Sequence, residues 1–195
     1  MTKPVSIKLP VSEEQIRELK CGDFVLLSGI IFTARDAAHK RLVKGETPES
    51  CDLNAQIIYH CGPVTVMNES GWTVTAAGPT TSGREEPYMD KIIKDFKLRA
   101  VIGKGGMGKN TLAACEKHGC VYLHAVGGTA QVLADTIERV EDVYWLDQLG
   151  PPEAIWKLQV KDFPAVVTMD SHGKSLHDNV EIKSKNKLKK LLQTK

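Results

Sequence analysis

The sequence predicts a mixed α/β domain, and three observations predict it. Apolar runs of strand length alternate with segments of helical spacing through the second half of the chain. Two alternating runs around Asn68-Glu69-Ser70-Gly71 read as a β-hairpin, which adds an antiparallel component. The chain has 195 residues and is 42% apolar, enough for one domain with its own core. We take residues 1–182 as that domain and 183–195 as a basic tail. The net charge is only +2, which leaves no footprint for nucleic acid or a membrane surface over the whole chain.

The elements follow in order. Val5 to Leu9 reads as a strand. Ser12, with Glu14-Gln15 behind it, caps a short helix reaching about Lys20. Asp23 to Phe32 is a strongly apolar run of strand length. Ala34 to Val43 has helical spacing, with Arg35 and Asp36 at its N-terminal end. Gln56 to Val66 and Trp72 to Ala76 form the arms of the hairpin. Tyr88 to Phe96 is helical, Leu98 to Ile102 a buried strand, and Lys109 to His118 helical again. Val121 to Val126 is a strand and Gly128 to Asp135 a further helix. Val143 to Trp145, Trp156 to Val160 and Ala165 to Met169 are short strands. The lysine-rich stretch Lys183 to Lys195 places Leu188, Leu191 and Leu192 at helical spacing. It reads as a solvated, frayed helix, or else as an amphipathic helix that binds a partner.

Other classes are excluded in turn. Met1 to Leu9 has no apolar core of a signal peptide, so a cytoplasmic location is expected. The longest apolar run, Phe24 to Phe32, falls well short of the roughly 18 residues a membrane helix needs. Cys21, Cys51, Cys61, Cys115 and Cys120 are odd in number and irregular in spacing. Without a Cys-x-x-Cys pair they read as reduced, partly buried thiols, not as a disulfide framework or metal ligands.

The chemistry concentrates in three segments. Gly78-Pro79-Thr80-Thr81-Ser82-Gly83-Arg84 and Gly103-Lys104-Gly105-Gly106-Met107-Gly108 are hydroxyl- or glycine-rich loops that each carry a cation. Such loops bind anions, because bare backbone N–H groups and a positive side chain converge. Thr33 to Arg41 supplies a third cation-rich segment. Together they suggest a small substrate with more than one carboxylate or phosphate.

Two nucleotide readings compete for the second loop. Gly103 to Lys109 nearly matches the phosphate-binding P-loop, but that motif needs Ser or Thr directly after the lysine to hold magnesium. Asn110 stands there, and Thr111 comes one residue late. The same glycines fit the dinucleotide fingerprint, which needs an acid at the end of the next strand. Gly127-Gly128 follows that strand instead. A tight strand-to-helix turn explains Gly103 and Gly105 but not four glycines in six residues, for which a close-approaching ligand is the expected reason.

Gly-Pro-Thr-Thr-Ser-x-Arg at 78–84, Gly-Lys-Gly-Gly-Met-Gly at 103–108, Thr-x-Arg-Asp-x-x-His-x-Arg at 33–41 and His60-Cys61-Gly62-Pro63 occur together in this chain. As a set they resemble the β subunit, or C-terminal domain, of class I fumarases and tartrate dehydratases, over roughly residues 5 to 175. The resemblance implies a swivelling β/β/α domain with a mixed sheet. It also implies an α subunit that holds a [4Fe-4S] cluster through its own cysteines, so that this chain has no metal site and no activity alone. On this resemblance Arg35, Arg84 and Lys104 face the carboxylates of a dicarboxylate such as fumarate or malate. Thr80 sits at the reacting carbon, as proton acceptor or its positioning group. Thr81, Ser82 and Gly83 complete the loop, and His39 is a further acid or base, or else a helix-face histidine bonding a carboxylate such as Asp36. Deprived of its partner, the exposed docking surface could drive homodimer formation.

The chain departs from the family at Glu85-Glu86, since Met is usual after Arg84. Two acids there either weaken the field of Arg84 or point outward. The loop His124 to Ala130, with Val126-Gly127-Gly128, looks more like fumarases than tartrate dehydratases. Fumarate is therefore the expected substrate, with tartrate or a methylated homologue as alternatives and a nucleotide-binding protein as a more distant one.

Overall fold

The computed structural model describes residues 3–69 and 71–193. It contains nine strands, β1 (Val5–Lys8), β2 (Phe24–Thr33), β3 (Ile57–Tyr59), β4 (Val64–Asn68), β5 (Gly71–Ala76), β6 (Ala100–Gly103), β7 (Val121–His124), β8 (Ile137–Tyr144) and β9 (Ile155–Met169). Seven α-helices accompany them: α1 (Glu13–Glu18), α2 (Asp36–Leu42), α3 (Glu86–Phe96), α4 (Lys109–His118), α5 (Ala130–Ala134), α6 (Leu146–Leu149) and α7 (Leu176–Gln193). A 3-10 turn, Ser82–Glu85, leads into α3.

Local chemistry explains the helix ends. Ser12 and Gln15 form a reciprocal capping box at α1, with N···O distances of 3.3 and 3.1 Å. Pro87 sits in the first turn of α3, where its missing N–H costs nothing. Gly119 closes α4 in the left-handed region at φ 65°.

The strands form a mixed seven-stranded sheet, with β4 and β5 as a separate antiparallel hairpin. β1, β2, β3, β6 and β7 run parallel, each to its neighbour. β9 runs antiparallel and pairs with β7, β8 and also β2. The pairings β2–β3–β6–β7–β9–β2 therefore close into a ring. Sequence spacing did not disclose this closure.

The central strands are buried on both faces, as parallel strands usually are. Ile57, Tyr59, Ala100, Ile102, Val121 and Leu123 join Val25, Leu27 and Phe163 in the cluster turned into the ring. The alternate residues Ile58, Val101 and Tyr122 join Ala38, Leu42, Met89, Ile92 and Cys115 under α2, α3 and α4. The hairpin leans on the first cluster through Val74 and Trp72, whose ring meets Trp156 edge-on at 5.2 Å.

Several elements differ from expectation. The predicted strand Gln56 to Val66 is two strands, because His60 to Pro63 leaves the ladder. The hairpin arms are Val64–Asn68 and Gly71–Ala76, and Ser70 of the anticipated turn lies outside the described residues. The expected short strand Val143–Trp145 is the end of the longer β8, and Trp145 adopts a left-handed conformation to start α6. Trp156 to Val160 and Ala165 to Met169 are one strand, β9. Asp162, at φ 52°, carries an irregularity that the Ser28 hydroxyl meets by accepting its N–H at 3.0 Å. The expected tail helix begins earlier, at Leu176, and has no buried residue; Thr194 and Lys195 lie outside the described residues. No helix among the described residues is long and apolar enough to cross a membrane.

Candidate active site

The parallel strands β2, β3, β6 and β7 end at Thr33, Tyr59, Gly103 and His124, on one rim of the ring. Loops at the carboxyl ends of parallel strands are where α/β folds hold ligands. Here they carry Arg35, His60 to Pro63, and Lys104 with its glycines. The loop Gly78 to Glu85 lies across them, stitched in by backbone bonds. The Thr80 N–H donates to His60 O at 2.7 Å, Lys104 N–H to Thr80 O at 3.2 Å, and Ser82 N–H to Lys104 O at 2.9 Å. Cys61 pairs with Pro79, and Thr81 with Lys104, as isolated bridges. Thr80, Thr81 and Lys104 are thus held in one short ladder.

Three cations reach this rim from three loops. Arg35 lies against Gly62, where a Cβ would stand 2.7 Å from Nη1, so the glycine makes room for the guanidinium. Its Nε is 3.5 Å from Glu153 Oε1, while Glu153 Oε2 accepts the N–H of Ala37 at 2.8 Å. Arg84 is ion-paired with Asp36, and its side chain is 53% exposed. A pair this exposed contributes little stability, so a ligand carboxylate can compete for the guanidinium. Lys104 is half-buried, and among the described residues it makes no ion pair.

Beneath the rim lies a buried polar layer. Ser82, expected to complete the substrate loop, turns inward and is fully buried. Its Oγ is 2.9 Å from His60 Nδ1 and accepts from the Tyr122 hydroxyl at 2.9 Å. His39 is buried too, and it bonds neither Asp36 nor solvent. Its Nδ1 lies 2.8 Å from Arg35 O; a carbonyl only accepts, so Nδ1 carries the proton. Burial holds His39 down to about 4, against the raising effect of that bond and of Asp36, so the ring is neutral near pH 7. His60 is depressed as well, by burial and by its neighbour His39, whose ring it meets edge-on at 5.0 Å. Among the described residues neither histidine's Nε2 has a partner.

Glu85 and Glu86 do not point outward into solvent, and Glu85 interacts electrostatically with Arg84. Glu85 points inward, fully buried, 3.6 Å from His39 Nδ1. Burial, then Asp36, raise its carboxyl to about 7, despite the opposing pull of Arg84. Glu86 reaches across to the start of α4. Its carboxylate accepts N–H bonds from Gly108 at 2.7 Å, Asn110 at 3.1 Å and Thr111 at 3.2 Å, and the Thr111 hydroxyl at 2.7 Å. The helix end that a P-loop would offer to phosphate is filled by a carboxylate of the same chain. Glu86→Ala is expected to lower stability by about 1–2 kcal/mol, read as a lower urea midpoint at unchanged slope. An unchanged midpoint would show that this cap contributes nothing.

The glycines of that loop also have internal reasons. A Cβ on Gly103 would stand 1.9 Å from Ser82 Oγ, on Gly106 2.5 Å from the His177 ring, and on Gly108 2.6 Å from Glu86 Oε1. Close approach by this chain's own side chains, not by a ligand, accounts for these three. Gly105, at φ 82°, has only Thr81 Cγ2 at 3.7 Å and is exposed.

The cysteines do not fit a cluster. Cys61, Cys115 and Cys120 are buried, and Cys21 and Cys51 are half-buried. Burial pushes the thiols of Cys51 and Cys61 up to about 12 and, with Asp170, that of Cys21 to about 11. Metal binding needs thiolates, and such surroundings disfavour them. Among the described residues no three His, Cys, Asp or Glu side chains are grouped to hold a metal ion.

The molecule is a mixed α/β domain that gathers three cations and a hydroxyl-rich loop at the carboxyl ends of its parallel strands. The sequence matches the fumarase C-terminus family over residues 1–180, and the chain belongs to that family. It is 59% identical over 192 residues to a Geobacillus stearothermophilus protein named "Putative fumarate hydratase class I", covering 98% of this chain and 36% of that protein. It is 43% identical to the "Putative L(+)-tartrate dehydratase subunit beta" of Methanocaldococcus jannaschii, covering 93% of this chain and 95% of that one. It is also 36% identical to the L(+)-tartrate dehydratase subunit beta of Escherichia coli K12, over 86% and 83% of the two chains. The chain thus spans about a third of the Geobacillus protein and nearly all of the Methanocaldococcus one. Hydratases and dehydratases of these names are hydro-lyases.

Proposed function

We propose that this chain is the β half of a two-part hydro-lyase that adds water to fumarate, giving malate, and removes it again. In this reading it is a swivelling β/β/α module that binds the dicarboxylate while an α partner holds a [4Fe-4S] cluster, which activates the water or leaving hydroxyl. What supports the reading is that the loops bearing Arg35, Arg84, Lys104 and Thr80 meet at one rim of the sheet.

Addition or loss of water across such a substrate passes through a carbanion beside a carboxylate. Charge moves onto that carboxylate, so fixed cations stabilise the transition state more than the ground state. Arg84 and Arg35 offer planar forks that grip a carboxylate at two points. Lys104 supplies a point charge, and among the described residues no anion pairs with it. Thr80, fixed through its own N–H and C=O, holds its hydroxyl where a proton leaves or joins the carbon. An alcohol is a weak base, so it needs a carboxylate from the partner to receive the proton. His39, buried and neutral, supports the Arg35 backbone from below and does not reach substrate.

Tartrate is the second reading, favoured by the names of the two β-subunit relatives. The test is anaerobic co-expression with the candidate α subunit, followed by fumarate hydration and tartrate dehydration assays. Malate formation that needs both chains supports the reading. Turnover of tartrate alone moves the substrate and keeps the chemistry. Turnover by the purified single chain would overturn the half-site picture.

A further inference from the structure

We infer that Ser82, His60 and Tyr122 form a positioning post that fixes the height and orientation of the Thr80–Arg84 loop over the rim. The inference rests on the reading of that rim as the carboxylate site.

Ser82 lies between Thr80-Thr81 and Arg84, so whatever fixes it fixes both flanks of the loop. Its Oγ meets His60 Nδ1 and the Tyr122 hydroxyl, each at 2.9 Å, and all three residues are fully buried. The space for this oxygen is reserved by Gly103, whose missing Cβ would otherwise stand 1.9 Å away. Three adjacent strands contribute: His60 follows β3, Gly103 ends β6, and Tyr122 lies on β7. The post is therefore built on the rigid part of the fold. Burying these groups unpaired would be costly, whereas an apolar plug would hold the turn by bulk alone. Hydrogen bonds add direction, which bulk does not, and misplacing a loop by about 1 Å can cost roughly 10²-fold in rate.

Ser82→Ala and Tyr122→Phe test the post with little change in packing. In the assembled two-subunit enzyme each is expected to lower kcat/KM by roughly 10–10²-fold, through both kcat and KM. His60→Asn keeps a polar atom near the Nδ1 position and should retain most activity, while His60→Leu should fall as far as Ser82→Ala. In the isolated chain, amide hydrogen exchange of Thr80, Ser82 and Lys104 should quicken in Ser82→Ala, with β9 unchanged. Wild-type exchange at those amides would overturn the inference. So would equal loss in His60→Asn and His60→Leu, since packing alone would then explain the cluster. Should the wild-type complex turn over neither fumarate nor tartrate, the functional reading fails, and the exchange measurement still decides whether the post exists.

Discussion

Lys104→Ala is expected to lower turnover of the proposed two-subunit enzyme by roughly 10²–10³-fold, the loss seen when one preorganised group facing a developing charge is removed. Among the described residues Lys104 is the rim cation without an ion-pair partner, whereas Arg35 faces Glu153 and Arg84 faces Asp36. Its backbone is fixed on both sides, by Thr80 and by Ser82. Lys109→Ala is the control. Lys109 is exposed at the start of α4, where Glu86 already occupies the helix end. Steady-state kinetics on the two variants decide the matter. Equal loss in both, or loss in Lys109→Ala alone, would overturn the assignment and return attention to the near P-loop.

Gly103→Ala should be the most damaging small substitution for stability, by roughly 2–3 kcal/mol. The new methyl would stand 1.9 Å from Ser82 Oγ, 3.1 Å from the Tyr122 hydroxyl and 3.3 Å from His60 Nδ1. None of these is the free end of a flexible chain, because all three residues are fully buried. Urea unfolding of Gly103→Ala, Ser82→Ala and the double variant forms a thermodynamic cycle. If the collision with Ser82 Oγ is the cause, the methyl costs markedly less once that oxygen is gone. Strict additivity would refute this account.

Much of the architecture was legible because local signals agreed with the fold. The Ser12–Gln15 box, the amphipathic run before Lys97, and the apolar strands at β6 and β7 each announce themselves within a few residues. β9 was not legible as one strand, because Lys161, Asp162 and Pro164 interrupt its apolar pattern and only the pairing with β2 carries it through. β8 was seen only at its end, because much of it is exposed and its alternation is weak. In the site, the loop motifs pointed to Thr80, Arg84, Lys104 and Arg35, which the fold brings to one rim. They could not tell which way a side chain faces, so the inward turn of Ser82 and the burial of His39 beside Glu85 needed coordinates. Tyr122 gave no signal, being one apolar position in the alternation of β7. Glu153 gave none either, because its role depends on α2 being packed against the distant loop before β9. Glu85 and Glu86 stood out as departures, but their roles as buried carboxyl and helix cap needed coordinates.

The closed ring also dictates an order of events while the chain acquires its shape. The bonds that close it join Phe24 to Val166 and Phe32 to Lys157, residues near opposite ends of the sequence. Closing so long a loop costs entropy before its contacts compensate, so this seam belongs late in folding. On the ribosome β2, β3, β6 and β7 all emerge before β9. Until β9 arrives, the edges of β2 and β7 that it will cover are unpaired, and the apolar lining is open to water. An open apolar edge is a template for pairing with another chain. The interval between the synthesis of β7 and β9 is when the nascent protein is most exposed to aggregation, and when shielding by a chaperone matters most.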